Sequence, residues 1–576
     1  MSRVIPVVPI PQHPAPPTPP VRQGPKGRQP DALALAHVQA ILNTPVLRRD
    51  HLIEYLHKLN DHHGHLAPRH IAALAHLMNL AQVEVFEVAT FYHHFQVVDH
   101  DHGVAPRAIV RVCQSPSCRM AGSATLMAGI AQALPTDCRL EAVPCIGRCE
   151  QAPAVAIGQH EMGHAQCETV LSVLQQQTIQ AQALSPESLS DYLQRHGYSS
   201  WLSLKSAQVS PESAIELLEQ SGLRGLGGAG FPAGRKWRIV RNQPGQHWLA
   251  VNIDEGEPGT FKDRTYLEQH PHQFLEGVLI AAEVVQAQQV ILYLRDEYHA
   301  LRHRLTQEIA ALQHHWRGHS LPNIELRRGA GAYVCGEESA MLESIEGKRG
   351  VPRQRPPYVA QQGLFGHPTL VHNAETLYWV PKLLREGTDW FTRAGRHGRQ
   401  GLRSFSVSGR VAKPGVALAP AGITLRELVD EYCGGMQTGH TLYGYLPGGA
   451  SGGMLPAALA DIPLDFDTLQ EHGCFIGSAA VVVFSQMDSA LDIARHLMNF
   501  FVHESCGQCT PCRSGTEKAS QLMQQNHWNI PLLQDLSQVM RDASICGLGQ
   551  AAPNPLDCLL RHFPHEVPKA GTGEVA

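Results

Sequence analysis

Three cysteines stand at equal intervals in Cys506-Gly-Gln-Cys509-Thr-Pro-Cys512. Thiolates at this C-x2-C-x2-C spacing can hold three corners of one cubane cluster, and the fourth ligand has to come from elsewhere. Cys546, in Ser-Ile-Cys-Gly-Leu-Gly, is the best candidate for that corner. Cys558 is the rival, although its Leu-Asp-Cys-Leu-Leu surroundings suit a buried core thiol. Zinc sites prefer two C-x2-C pairs, so three evenly spaced cysteines favour a [4Fe–4S] cluster over zinc. A second set is split into Cys113-x4-Cys118 and Cys145-x3-Cys149. Two pairs on two loops suit a [2Fe–2S] rhomb, each iron taking one pair, and they suit a four-cysteine zinc site equally well. Cys138 lies close by, breaks the pairing and reads as structural.

Two kinds of loop accompany the cysteines. Ser221-Gly-Leu-Arg-Gly225-Leu-Gly227-Gly228-Ala-Gly230-Phe231 contains G-x-G-x-x-G, but a helix precedes it where a dinucleotide fingerprint needs a strand. Its glycines still let backbone N–H groups come close to a phosphate or a flat ring, and Lys236 follows as a counter-charge. Asn252-Ile-Asp254-Glu255-Gly-Glu257, running on to Asp263 and Arg264, sits directly after a strand and offers acceptors for ribityl or ribose hydroxyls. Gly329-Ala-Gly331-Ala-Tyr-Val-Cys335-Gly336-Glu337-Glu338 repeats the arrangement after another strand. Two such loops in one α/β unit predict one shared crevice. A solvated acidic turn and a ligand-free glycine loop are the bland alternatives.

The elements that must position these residues follow from periodicity. Asp31 predicts the cap of a helix carrying Leu35, Val38, Ile41 and Leu42, and further helical patterns cover 51–60 and 69–80. Ala108–Val112 and Ala154–Ile157 read as strands beside the first cysteine set. Ser210-Pro211 starts a helix that Gly222 stops. Strands Trp248–Val251, Val290–Leu294 and Ile324–Leu326 then alternate with helices, 404–485 reads as compact and β-rich, and the pattern is helical again from Ala490.

A chain of 576 residues is large enough for several cores. Its net charge of −5, spread along the chain, argues against nucleic-acid binding. The longest apolar runs, Gly277–Val285 and Ala479–Phe484, are too short for a bilayer span. The proline-rich stretch Ile5 to Pro20 reads as a disordered tail rather than a secretory signal, and a cytoplasmic location is expected. Fourteen cysteines in a chain read this way point to metal or cluster ligation rather than disulfides.

These pieces, in this order, resemble the NADH-oxidising end of respiratory complex I and its soluble relatives. Residues 30–170 resemble the small [2Fe–2S] subunit, including Ala89-Thr-Phe-Tyr-His-His-Phe95, and 190–560 resemble the flavin-bearing subunit. Fused in one chain, they look most like the diaphorase β subunit of NAD-dependent formate dehydrogenases, with the NAD-reducing hydrogenase diaphorase second and a complex I component third. The resemblance implies a multidomain α/β and α+β chain: a tail (1–30), a helical bundle (31–100) and a thioredoxin-like [2Fe–2S] domain (101–175). A linker (176–210), an FMN/NAD-binding α/β domain (211–400), a ubiquitin-like SLBB domain (401–488) and a helical [4Fe–4S] domain (489–576) follow.

By the same resemblance, FMN lies against Gly225, Gly227, Lys236, Asn252, Asp254, Glu337 and Asn373. NAD, as substrate, contacts Phe231, Glu257, Glu338 and Tyr358. Hydride passes between NAD and FMN without a protein acid or base. The clusters are [2Fe–2S] on Cys113, Cys118, Cys145 and Cys149, and [4Fe–4S] on Cys506, Cys509, Cys512 and Cys546. Leu226, Ile239, Arg355 and His372 depart from the common pattern and leave the choice between NAD and NADP open. No site for formate or hydrogen chemistry is evident, so a separate catalytic subunit with a molybdenum, tungsten or nickel–iron centre is implied. A contrasting reading is an electron-relay adaptor without flavin.

Overall fold

The computed structural model describes residues 28–99 and 105–568; the proline-rich stretch expected as a tail lies outside them. Asp31 does cap the first helix, Ala32–Leu42, accepting from the Ala34 N–H at 2.7 Å. Helices Leu52–His63, Pro68–Leu77 and Gln82–Phe91 complete a bundle around Val38, Leu56, Leu74 and Val85. Next come strands β1 (Ala108–Cys113), β2 (Cys138–Val143), β3 (Val155–Ile157) and β4 (His160–Met162), in the order β2-β1-β3-β4. The β1–β2 pair is parallel and the others are antiparallel. Cys113 ends β1 and Cys118 lies in the short helix Pro116–Met120 that follows, while Cys145 and Cys149 lie on the connection after β2.

The third unit is a parallel sheet of β5 (His247–Ile253), β6 (Ala287–Leu294), β7 (Asn323–Arg328) and β8 (Thr369–Asn373), ordered β7-β6-β5-β8. The chain winds outward from β5 through β6 to β7 and then returns to the other side of β5. That reversal opens a crevice at the carboxyl ends of β5 and β8, where open α/β sheets bind ligands. Helix Pro271–Val285, nearly all of it buried, backs the sheet. As expected, Ser210 caps helix Pro211–Ser221, and Gly222 (φ +67°) ends it in a left-handed turn.

Residues 176–210 differ from the expected linker. They form helices Leu189–Gln194 and Ser199–Lys205, and Tyr192, Tyr198 and Trp201 are buried in the same core as helix Pro271–Val285. The cause is Glu276, a fully buried carboxylate on that helix. It accepts from Tyr192 Oη (2.5 Å) and from the Ser200 and Trp201 N–H groups (3.1 and 3.3 Å). A buried carboxylate needs such partners, and this segment supplies them.

Strands β9 (Leu402–Gly409), β10 (Gly415–Pro420), β11 (Leu442–Leu446), β12 (Leu455–Pro456) and β13 (Ala480–Ser485) form a sheet ordered β10-β9-β13-β11-β12. Its central β9–β13 pair is parallel, and helix Leu425–Tyr432 crosses after the second strand, a ubiquitin-like arrangement. Helices Ala490–Glu504, Thr510–Met523, Ile530–Ala543 and Asn554–His562 close the chain. Among the described residues no helix is long and apolar enough to cross a membrane.

Candidate functional site

A cavity of about 350 Å3 occupies the crevice at β5 and β8. Five of the residues implied for FMN line it: Gly227, Asn252, Asp254, Glu337 and Asn373. Each is held by its own local structure. Asn252 bridges two loops, donating from Nδ2 to the Gly336 carbonyl (2.8 Å) and accepting from the Asp254 N–H (2.9 Å). Asn373 caps helix Ala374–Glu386 through the Thr376 N–H (3.1 Å) and donates to the Asp263 carboxylate (3.1 Å). Glu337 caps helix Glu338–Ile345, accepting from the Ser339 and Ala340 N–H groups (3.0 and 2.9 Å). Gly227 leaves room where a Cβ would stand 3.0 Å from that of Asn373. Asp254 differs from the rest: its Oδ2 is buried with no hydrogen-bond partner in the protein. Burial pushes its carboxyl up to about 8, against the pull of Arg295.

Gly225 and Lys236 stand outside the cavity wall. The Gly225 N–H closes the glycine loop onto the Phe231 carbonyl (2.8 Å). Lys236 Nζ donates to the Val371 carbonyl (3.1 Å) and reaches Glu338 (3.5 Å). Glu338 also meets Arg355 (3.4 Å), which pairs with Glu337. Of the residues implied for the nucleotide, Glu257 lines the cavity, accepting from the Ser451 N–H (2.8 Å) and from the Tyr333 hydroxyl. Phe231 and Tyr358 are exposed, 38% and 55%, and Arg235 lies over the Phe231 ring. His372 is buried and accepts from Trp237 Nε1 (2.8 Å); burial and the nearby Lys236 hold its pKa well below the usual range.

The structure adds residues that the sequence did not single out. Lys262 lines the cavity beside Asp263, which the sequence marks at the end of the acceptor run, and is buried between Asp263 and Glu375 (both 2.9 Å). Burial works against the charge on Lys262, but the two carboxylates outweigh it and raise its pKa. Ser451, Phe475 and Ser478 arrive on the connections between strands of the ubiquitin-like sheet, and Ser478 bonds to Thr260 (2.7 Å). A third wall comes from Gly547 and Leu548, the two residues after Cys546.

Cys546 gathers with Cys506, Cys509 and Cys512. Burial, with the other three sulfurs close by, pushes the Cys512 thiol up to about 12. Cys558 does not join them: it is buried against Cys474, with the two sulfurs 3.5 Å apart. Cys113, Cys118, Cys145 and Cys149 are all buried, and Cys145 Sγ is 3.8 Å from Cys149 Sγ. Its hydrogen bond with Cys113, and then burial, push the Cys145 thiol up to about 12. Binding a cluster at either set would take the protons off these thiols, so loading would release acid. All fourteen cysteines are free of disulfides.

The units are clamped together. Arg295 donates to the Cys145 carbonyl (2.8 Å), Arg264 to the Gly147 carbonyl (3.0 Å), and Tyr298 packs against Gly147. The Ala89–Phe95 segment buttresses the second glycine turn. The His94 N–H donates to the Ala330 carbonyl (3.2 Å), and Tyr92 Oη to the Lys348 carbonyl (2.7 Å). Buried Arg327 joins Asp50 and Glu54 of the N-terminal bundle (2.5 and 2.9 Å).

Comparison with known proteins agrees with this layout. Residues 38–178 match the thioredoxin-like [2Fe–2S] ferredoxin family, 218–382 the Nuo51 FMN-binding domain, and 492–570 the NADH-ubiquinone oxidoreductase-F iron–sulfur binding region. The chain is therefore a flavin- and iron–sulfur-bearing subunit of the NADH-oxidising class. An NADH-quinone oxidoreductase F subunit of Rhizobium meliloti is 40% identical over 370 residues, 62% of this chain and 88% of that protein. The corresponding F subunit of Mycobacterium bovis is 39% identical over 402 residues, 66% of this chain and 90% of its own. A chain of an NAD+-reducing [NiFe]-hydrogenase superposes with a TM-score of 0.80 at 32% identity, covering 91% of this chain and 93% of that one. The chain belongs to the family of NADH-quinone oxidoreductase F subunits, with a thioredoxin-like [2Fe–2S] unit in the same polypeptide.

Proposed function

We propose that the chain is the diaphorase subunit of an NAD-dependent formate dehydrogenase, working in the cytoplasm with a separate catalytic subunit that carries molybdenum or tungsten. The observation that carries the electron-transfer reading is the shared wall. Gly547 and Leu548, directly after Cys546, line the same cavity as the β5 and β8 loops. FMN bound there supplies hydride exchange with the nicotinamide and release of electrons one at a time. The cavity suits it: glycine backbone on one side, the partnerless Asp254 oxygen as an acceptor for a ribityl hydroxyl, and Asn252 and Asn373 fixed as polar anchors. Gly225 and Lys236 support the glycine loop and the β8 end from behind. Phe231, Glu257, Glu338 and Tyr358 form the nucleotide side. The chain's contribution is to orient and to exclude water; no side chain is asked to move a proton. Cys506, Cys509, Cys512 and Cys546 hold the [4Fe–4S] cluster, and Cys113, Cys118, Cys145 and Cys149 hold the [2Fe–2S] cluster.

The formate reading is supported by the loop Gly222–Phe231 together with Asn252–Glu257, which resemble that branch. A hydrogenase partner is the second reading, favoured by the end-to-end likeness to the hydrogenase chain. Purification of the native complex, metal analysis, and NAD+ reduction driven by formate or by hydrogen separate them. Molybdenum or tungsten with formate-driven turnover is expected. Nickel with hydrogen-driven turnover would transfer the assignment to a hydrogenase.

A further inference from the structure

The N-terminal bundle carries imidazoles that the redox sites do not use. His37 lies on helix Ala32–Leu42, His63 ends helix Leu52–His63, and His70 lies in the first turn of helix Pro68–Leu77. One ring nitrogen from each lies within 4.8 Å of the other two. The His63 and His70 rings stack with centroids 4.3 Å apart, and His37 stands 5.8 and 6.0 Å from them. His70 is 2% exposed, and neither of its ring nitrogens has a hydrogen-bond partner; His63 Nε2 has none either. Buried polar atoms left unpaired cost free energy, so the unpartnered imidazoles of His63 and His70, each with a nitrogen near one of His37, call for a shared ligand that the surrounding protein does not provide.

We propose that His37, His63 and His70 form a binding site for a divalent transition-metal ion of the zinc class, with water completing the coordination. An all-imidazole donor set selects zinc, copper or nickel over magnesium or calcium. Three histidines and one water is a recognised zinc arrangement. Tetrahedral metal–nitrogen bonds of about 2.0–2.1 Å place the nitrogens about 3.3 Å apart. Closing from 4.8 Å requires exposed His37 and half-buried His63 to turn their rings, so that the stacked His63 and His70 planes open toward a common point. His37 also gives the ion an entry path from solvent. Such an ion ties three helices together far along the chain from either cysteine set. Arg69, close enough to His63 and His70 to oppose positive charge, sets the expected affinity below that of an all-thiolate site.

The test uses tag-free protein with its iron–sulfur clusters loaded, so that the cysteines are occupied. Zinc chloride is titrated in competition with a fluorescent zinc chelator, and bound zinc is counted by mass spectrometry after dialysis. One zinc per chain is expected, with X-ray absorption showing nitrogen ligands. His37→Ala and His63→Ala should each weaken zinc binding at least about tenfold while leaving NADH-dye activity unchanged. His37 is exposed, so its removal leaves the bundle folded. The proposal is overturned if wild-type protein takes up no zinc at micromolar concentrations, or if both variants bind it as wild type does.

Discussion

Asp254 gives the sharpest handle on the cavity proposed for flavin. Its Oδ2 is buried without a partner, and burial pushes its carboxyl up to about 8. Asp254→Ala removes the acceptor, and losing a hydrogen bond at such a buried polar group costs about 1.5–3 kcal/mol. That corresponds to FMN binding weakened about 10- to 150-fold. Asp254→Asn keeps a hydrogen-bonding group of the same shape and removes only the charge. At pH 6 the wild-type carboxyl is itself neutral, so the Asn variant should bind FMN within a few-fold of wild type.

The sign of the stability effect follows from the same carboxyl. A carboxyl whose pKa is raised on folding imposes no penalty below its unfolded value of 3.8, a growing one through neutral pH, and its full penalty above about pH 8. With about 1.4 kcal/mol per pH unit as the ceiling, and local relaxation and water entry discounting it, flavin-free Asp254→Asn should gain about 2 kcal/mol over wild type at pH 8. At pH 4 it should gain almost nothing. Flavin fluorescence titration of flavin-stripped protein and thermal unfolding at the two pH values measure both effects. If Asp254→Ala binds FMN as tightly as wild type, the cavity is not the flavin site and the reasoning fails.

Other perturbations probe the remaining parts. Cys546→Ser should lose the [4Fe–4S] signal in electron paramagnetic resonance, whereas Cys558→Ser, whose sulfur meets Cys474 and the Gly473 carbonyl, should keep full iron content. Gly230→Ala puts a side chain at φ +64° with its Cβ 2.6 Å from the Phe466 ring, and should destabilise by about 1–3 kcal/mol, read as a lowered melting temperature. Arg327→Ala removes the cation shared by Asp50, Glu54 and Glu325; Arg48 still pairs with Asp50 and His51 with Glu325, so the cost is about 1.5–3 kcal/mol. Limited proteolysis should then release the N-terminal bundle faster.

What is legible in the sequence is whatever depends on near neighbours in the chain. The Asp31 and Ser210 caps are one-turn events, and three cysteines in seven residues announce themselves. Asn252 and Asp254 are marked by the strand before them. Ser451 and Ser478 are hidden because their partners Glu257 and Thr260 are 194 and 218 positions away, on another unit. The Gln- and Ser-rich composition of 176–210 masks Tyr192, Tyr198 and Trp201, whose burial is dictated by Glu276 on a helix far downstream. The Ala89–Phe95 segment stands out only by resemblance, and its purpose emerges once it is seen against the Gly329–Gly331 turn.

The clamp on the Cys145 loop bears on how the protein matures. With Arg295 and Arg264 closed over the Cys145 and Gly147 carbonyls, and all four thiols buried, the loop that carries Cys145 and Cys149 is fixed by residues of the downstream half. A cluster loaded before that half docks meets a loop still free of those two arginines. The order of synthesis permits this, because the thioredoxin-like unit emerges from the ribosome before β5 and its arginines exist to close over it.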